Sequence, residues 1–367
     1  MALFVGVMSG TSMDAVDCAL VDFTDGSPRL VAHHSTPWPP TLRERLQTVA
    51  AGGPISATAF GRLDTAVGLF TADAVNALLA KAGYAPADVS AIGSHGQTVA
   101  HAPDGVEPTS VQLGDGNSIA ERTGIPTVSN FRLRDIAAGG QGAPLAPAFH
   151  NAVLRSPTED RAVLNLGGIA NITLLPADPE APVIGFDTGP ANCLMDLWAR
   201  QQLGAPYDDA GRWAASAEAD PDLLNRLLDD PYFARRPPKS TGTQYFSRQW
   251  LQQRLVEFKG MAPDVIQATL LALTTRTVTE AVEIHAYGCA RVLVCGGGAR
   301  NDALMRQLHE ALGRPVDSTA AYGIDPHWME PIAFAWLARA SMLGQPGNLP
   351  SVTGAAAARI LGTIHRG

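Results

Sequence analysis

Residues 161–203 read RAVLNLGGIANITLLPADPEAPVIGFDTGPANCLMDLWARQQL. Runs of Val, Ile and Leu broken by paired glycines predict a strand over 162–165, a tight turn at Gly167-Gly168, a second strand over 169–175 and a third over 183–186. Proline at a first helical position is a start signal, so a helix is expected to open near Pro190. The stretch also carries chemistry. A Gly-Gly turn admits backbone N–H groups close to a phosphate where a Cβ would stand in the way. Asp187 falls where the third strand hands over to the helix, a common location for a functional carboxylate in α/β proteins. Each feature has a plain structural reading as well: glycine pairs turn many hairpins, and an Asp before a helix caps it.

The N-terminus repeats the pattern. LFVGVMSGTSMDAVDCALVDF predicts strands over 3–8 and 15–23 joined by a Gly/Ser/Thr turn over 9–12, with a third strand over 30–35. Two three-strand meanders, each with a small-residue turn after its first strand, indicate a duplication, and a chain of 367 residues exceeds a usual single core. Helices are expected over 41–51 and 56–82, the second with Phe60, Leu63, Val67, Phe70, Ala74 and Leu78 on one face and Gly83 as its stop. A strand over 89–94 runs into HGQTVAHAP, which reads as a polar loop. A short helix at 118–123 and a strand at 126–129 follow, and IAAGGQGAPLAP (136–147) marks the crossing into the second half. Beyond the central stretch, 205–244 reads as a polar surface excursion with short helices. Helices are then expected over 246–259, 263–286, 302–312 and 330–343, a strand over 291–295, and a partly helical tail over 353–361.

The net charge of −8 and pI near 5.6 argue against binding to nucleic acid or an anionic membrane. Cys18, Cys193, Cys289 and Cys295 show no CxxC spacing and three lie in apolar patterns, as buried reduced thiols of a cytoplasmic protein do. No signal peptide is evident, and no run of about 18 uncharged apolar residues suggests a membrane span. The nine histidines have no HxxxH or HExxH spacing, so no zinc site is expected.

Two further segments have the parts of a nucleotide site. In Ser9-Gly10-Thr11-Ser12-Met13-Asp14, hydroxyls and backbone amides can face a γ-phosphate while the carboxylate holds hydrated Mg²⁺. The lysine of a GxxxxGK[ST] loop is absent, and a serine-rich hairpin turn is the alternative. In LVCGGGARN (293–301), a buried strand feeds three glycines whose bare backbone can lie against an adenine ring; a glycine-rich strand-to-helix turn is the alternative.

Taken together, the chain resembles the anhydro-N-acetylmuramic acid kinase family of the actin/hexokinase/heat-shock-70 ATPase superfamily. The resemblance rests on MSGTSMDAVD (8–17), SHGQTVAH (94–101), NFR (130–132), GGQGAPLAP (139–147), NLGGIAN (165–171), GFDTGPAN (185–192), PPKSTG (237–242), CGGGARN (295–301) and AFAWLA (333–338), which span nearly the whole chain. It implies a two-lobed α/β actin-like fold. Duplicated ribonuclease-H-like domains with mixed five-stranded sheets would flank a cleft, the first lobe comprising 1–135 plus about 345–367 and the second 136–344. It also implies ATP and Mg²⁺ as cofactors, no nucleic-acid or membrane partner, and a homodimer. The reaction would hydrolytically open the 1,6-anhydro ring of 1,6-anhydro-N-acetylmuramic acid and phosphorylate O6 in cell-wall recycling.

Residue by residue, the resemblance implies Asp187 as catalytic base. Arg132 would pair with the lactyl carboxylate, since a guanidinium matches a carboxylate in a fork. Glu330, His95, Gln97 and Thr98 would lie near the sugar. Gly10, Thr11, Ser12, Met13, Asp14, Ala15, Val16 and Asp17 would form the first phosphate loop, with Asp14 reaching the metal through water. Gly167, Gly168 and Asn171 would form the second loop, and Gly296, Gly297, Gly298 and Asn301 would lie beside the adenosine. Ala15, Pro331 and Thr243-Gln244 depart from the family pattern. Two other functions fit parts of the sequence: a superfamily kinase acting on a free sugar or carboxylate hydroxyl, and a non-catalytic ATP-driven clamp.

Overall fold

LFVGVMS is apolar on nearly every residue, as a strand covered on both faces must be. In the computed structural model, which describes residues 2–10, 12–286 and 288–367, it forms the buried strand β1 (Leu3–Ser9). Strand β2 (Ala15–Asp22) runs antiparallel to β1, and β3 (Arg29–Pro37) antiparallel to β2. Helix α1 (Pro40–Ala50) follows, then α2 (Ala57–Ala82), whose N-cap Ser56 Oγ accepts from the Ala59 N–H at 3.2 Å. Gly83, at φ 74°, ends α2 in the left-handed conformation. By length and composition α2 is apolar enough to cross a membrane, where none was expected. Its Leu63, Val67, Val75, Leu78 and Leu79 are buried in one core with Leu3, Val5 and Leu20, so it is a core helix of this unit.

Strand β4 (Val89–Ala102) runs parallel to β1 and continues eight residues past Ser94. HGQTVAHA is therefore strand rather than loop, paired with β5 (Thr109–Leu113) in a hairpin. Its polar residues misled the reading because several bond within the unit. Helix α3 (Gly116–Thr123), strand β6 (Thr127–Ser129) parallel to β4, and helices α4 (Phe131–Ile136) and α5 (Ala146–Leu154) complete this part.

The central stretch forms the antiparallel meander β7 (Arg161–Leu166), β8 (Ile169–Leu175) and β9 (Ile184–Pro190). Pro190 ends a strand here instead of starting a helix, and its carbonyl accepts from Thr274 Oγ1 at 3.0 Å. Helix α6 (Asn192–Leu203) begins two residues later. Helices α7 (Pro221–Leu228), α8 (Arg248–Arg254) and α9 (Pro263–His285) follow. Strand β10 (Arg291–Cys295) is parallel to β7, and helix α10 (Asp302–Leu312) leads to β11 (Val316–Ser318), parallel to β10. The order β11-β10-β7-β8-β9 repeats β6-β4-β1-β2-β3 with the same strand directions. The duplication read from the sequence is a property of both sheets.

The chain then returns to the first sheet with α11 (Met329–Met342), α12 (Pro350–Thr353) and β12 (Thr363–His365), which pairs antiparallel with β6. Two units result: Met1–Val153 with Trp328–Gly367, and Leu154–His327. The divisions differ from those expected at 135/136 and 344/345. For the second division the reason lies in two glycines: a Cβ at Gly6 would stand 1.8 Å from the Pro331 carbonyl oxygen, and one at Gly93 2.1 Å from that of Phe334. Helix α11 thus lies directly on β1 and β4 and belongs to the first unit. With β5 and β12 that sheet has seven strands, two more than expected, while the second has five. The helix expected over 353–361 does not form: α12 lies before it and ends at Thr353, where Gly354 turns at φ 78°, and no helix follows over 354–361.

Candidate active site

In the second unit, one lateral row crosses three strands. Asn165 pairs with Asn171, and Asn171 with Asp187, at a register shift in β8. Directly opposed residues share a face of the sheet, and all three are only partly buried among largely buried neighbours. Asp187 therefore sits within β9, not at a helix start. Its carboxylate Oδ2 accepts the Thr241 N–H at 2.9 Å, its own N–H donates to the Lys239 carbonyl at 3.1 Å, and its carbonyl accepts from the Tyr232 hydroxyl at 2.7 Å. Burial pushes the Asp187 carboxyl up to about 6, opposed by the Thr241 N–H and the Lys239 charge. A cavity of about 410 Å³ is lined by Tyr232, Arg235, Thr241 and Tyr245 among others.

The Gly167-Gly168 turn joins this row to α6. The Gly168 carbonyl accepts from the N–H groups of Ala191 and Cys193, and the Gly167 carbonyl accepts from that of Asn192. The Asn192 amide donates to both Leu166 O and Gly167 O at 2.8 Å. The glycines of 296–298 pack against the same turn. A Cβ at Gly296 would meet Asn165 Oδ1 at 2.4 Å and one at Gly298 would meet Leu166 Cβ at 2.5 Å, whereas Gly297 is exposed with Asn192 Nδ2 at 3.8 Å. Two of the three glycine motifs are thus adjacent. Gly296 and Gly298 are required by protein packing, and only Gly297 offers an open face to a ligand. Asn301 caps α10, its Oδ1 accepting the Leu304 N–H at 3.0 Å.

In the first unit, the β1–β2 turn is tied by the Met13 N–H donating to Gly10 O at 3.1 Å, with Met13 at φ 53° and its side chain buried. Thr11 lies outside the described residues. Ser12 and Asp14 are exposed, and Asp14 pairs with Arg43 at 2.8 Å. Val16 is in the core, while Ala15 contributes its carbonyl to Ser9 Oγ at 2.9 Å. Gln97 is buried rather than presented to a sugar: its side chain bonds Ser9 Oγ at 2.7 Å and Gly10 O at 3.3 Å, bracing the turn from beneath. Thr98 is half-buried and accepts from Gln112 Nε2 at 3.3 Å.

Arg132, on α4, donates from Nε and Nη2 to His95 Nε2 at 3.2 and 2.8 Å and from Nη1 to Gly142 O at 2.9 Å. A guanidinium only donates, so His95 is neutral with its proton on Nδ1. Burial, and then the Arg132 charge, hold its pKa well below the ordinary value. Arg132 itself is brought down by burial to about 10 and remains cationic. Glu330 is exposed at the start of α11, where the charge of Arg132 favours its ionised form and that of Asp17 opposes it. Arg132 thus links His95, which it holds by hydrogen bonds, to Glu330, on which its charge and that of Asp17 act in opposite directions; Asp17 itself lies on β2. The sequence reading missed Lys239, Thr241, Tyr232 and Asn165, although PPKSTG and NLGGIAN had carried the signal.

The family model for anhydro-N-acetylmuramic acid kinase matches residues 2–367. The chain belongs to that family. Two proteins of that name, from Xanthomonas campestris pv. campestris strains 8004 and ATCC 33913, are each 51% identical over 368 residues, covering 99% of this chain and 97% of the relative. Component A of Acidaminococcus fermentans (R)-2-hydroxyglutaryl-CoA dehydratase superposes with a TM-score of 0.48 at 14% identity, covering 91% of this chain and 96% of that one. Membership of the family makes the chain a kinase that uses ATP, and the clamp reading is set aside.

Proposed function

We propose that the chain adds water to C1 of 1,6-anhydro-N-acetylmuramic acid and transfers the ATP γ-phosphoryl group to the O6 so released, giving N-acetylmuramic acid 6-phosphate and ADP. The observation that carries this is Asp187: a partly buried carboxylate, aimed by a backbone N–H, whose pKa lies near 6. General-base work at neutral pH asks for such a group. Asp187 takes a proton from the attacking water, the C1–O6 bond breaks as water oxygen bonds to C1, and O6 bonds to the γ-phosphorus as ADP leaves. Gly167, Gly168 and the β1–β2 turn are the phosphate contacts in this reading, and exposed Gly297 is the adenosine contact.

Arg132 has five N–H donors, three of which are committed to His95 and Gly142. One N–H remains on each terminal nitrogen, a supply suited to the lactyl carboxylate. His95 is assigned to orienting Arg132, and Glu330 to the sugar. For Mg²⁺ the fitting donor is Asp14, exposed and held only by a solvent-exposed ion pair, which is worth little. When bound through water to Asp14, the ion would neutralise charge on the phosphates. A cytoplasmic homodimer serving cell-wall recycling is the physiological form we infer.

The test compares ADP release on the anhydro sugar with that on an analogue lacking the lactyl group, for the wild type and Arg132→Ala. The variant is expected to raise KM for the lactyl-bearing sugar by about 10-fold or more and to leave the analogue unchanged. Equal losses on both sugars would contradict the carboxylate assignment, and preference for the ring-opened sugar would favour a kinase acting on a free hydroxyl.

A further inference from the structure

Asp187 does not stand alone in its unit: the segment after Tyr232 folds over it. Two residues of that segment hold it from both ends, Lys239 accepting its backbone N–H at 3.1 Å and Thr241 donating to Oδ2 at 2.9 Å. The Lys239 ammonium lies 4.9 Å from the centre of the Tyr232 ring and donates to Phe233 O at 3.4 Å. The Tyr232 hydroxyl in turn bonds the Asp187 carbonyl at 2.7 Å. Among the described residues, Lys239 makes no ion pair within 4.0 Å. The carboxylates acting on it are Asp187 and, from α9, Glu280, which is itself paired with Arg276. The other charged or titratable groups around the pair are Arg235, whose charge opposes that of Lys239, and His285 on α9. Lys239 is thus a cation that acts on Asp187 from the same segment whose Thr241 N–H bonds its carboxylate, and its charge opposes the effect of burial there.

We propose that Lys239 is a positioning residue for the reaction: its ammonium keeps Asp187 ionised as a base, while its backbone and that of Thr241 fix the direction of the carboxylate. The inference deepens the reading of Asp187 as the base and rests on it. A half-buried cation stabilises an ionised neighbour far more than an exposed one, because solvent screens it less. The ring of Tyr232 holds the ammonium without discharging it, since a cation–π contact transfers no proton.

The experiment measures kcat/KM on the anhydro sugar against pH for the wild type, Lys239→Met and Lys239→Arg. In parallel, the Asp187 carboxyl is titrated by carbon-13 NMR in the full chain without substrate. Lys239→Met should move the acidic limb and the carboxyl midpoint upward by about one pH unit, with kcat/KM recovering at high pH. Lys239→Arg should leave both near the wild-type position. A loss uniform across pH, an unmoved carboxyl midpoint, or a Lys239→Met chain that does not fold would overturn the proposal, since Lys239 would then act structurally. Absence of wild-type turnover on the anhydro sugar would instead overturn the function, and the carboxyl titration would still report on Lys239.

Discussion

At the scale of single residues, the site follows from burying one carboxyl beside a backbone N–H, that of Thr241. Asp187 has a folded pKa near 6 against an ordinary 3.8. Its protonated form is favoured on folding, so the stability it contributes falls as pH rises through that window and stays lost above it. Asp187→Asn removes the charge while its Oδ1 can still accept the Thr241 N–H. The variant should lose turnover by about 10²-fold or more and melt at a higher temperature than the wild type at pH 7.5. Near-normal turnover would remove Asp187 from the base role, and a lower melting temperature would contradict its burial as a charged group. Asp187 was singled out in GFDTGPAN as a carboxylate at a strand-to-helix junction, whereas it lies within β9, because Pro190 ends the strand instead of opening the helix. Its partners Lys239 and Thr241 were not legible, since more than fifty residues separate them from it and no periodicity links a loop to a distant strand. Gln97 misled in the opposite direction: a polar residue in a polar-looking segment is turned inward to brace Ser9 and Gly10.

At the scale of elements, the strongest constraint is the seat of α11 on β1 and β4. Gly93 leaves the Phe334 carbonyl oxygen 2.1 Å from where a Cβ would stand, with Ala338 Cβ at 2.9 Å. Both neighbours belong to a helix that cannot yield locally. Gly93→Ala should therefore destabilise the chain by about 1–3 kcal/mol or more, read as a lower urea midpoint at unchanged slope. An unchanged midpoint would mean that the helix does not rest on these glycines. The two meanders were legible from apolar runs and small-residue turns, and α2 from its spacing and Gly83. The extension of β4 was hidden because polar residues supply many of its side chains. Pro190 was misassigned because a proline can end an edge strand as readily as begin a helix.

For the molecule as a whole, the repeated order of the two sheets was visible in sequence as pattern without identity. The division between units was not, because it depends on where α11 packs rather than on a composition shift. The chain as a kinase of its family rests on a match from residue 2 to residue 367, while the account of its chemistry rests on a single base coupling hydration at C1 to phosphoryl transfer at O6. The most direct test incubates the protein with ATP, Mg²⁺ and 1,6-anhydro-N-acetylmuramic acid in water enriched in oxygen-18 and reads the product by mass and fragment position. The account predicts one heavy oxygen at C1 of a sugar phosphorylated on O6; a phosphorylated product with no label at C1 in fragments collected before exchange, or hydrolysis of ATP with the anhydro ring intact, would contradict it.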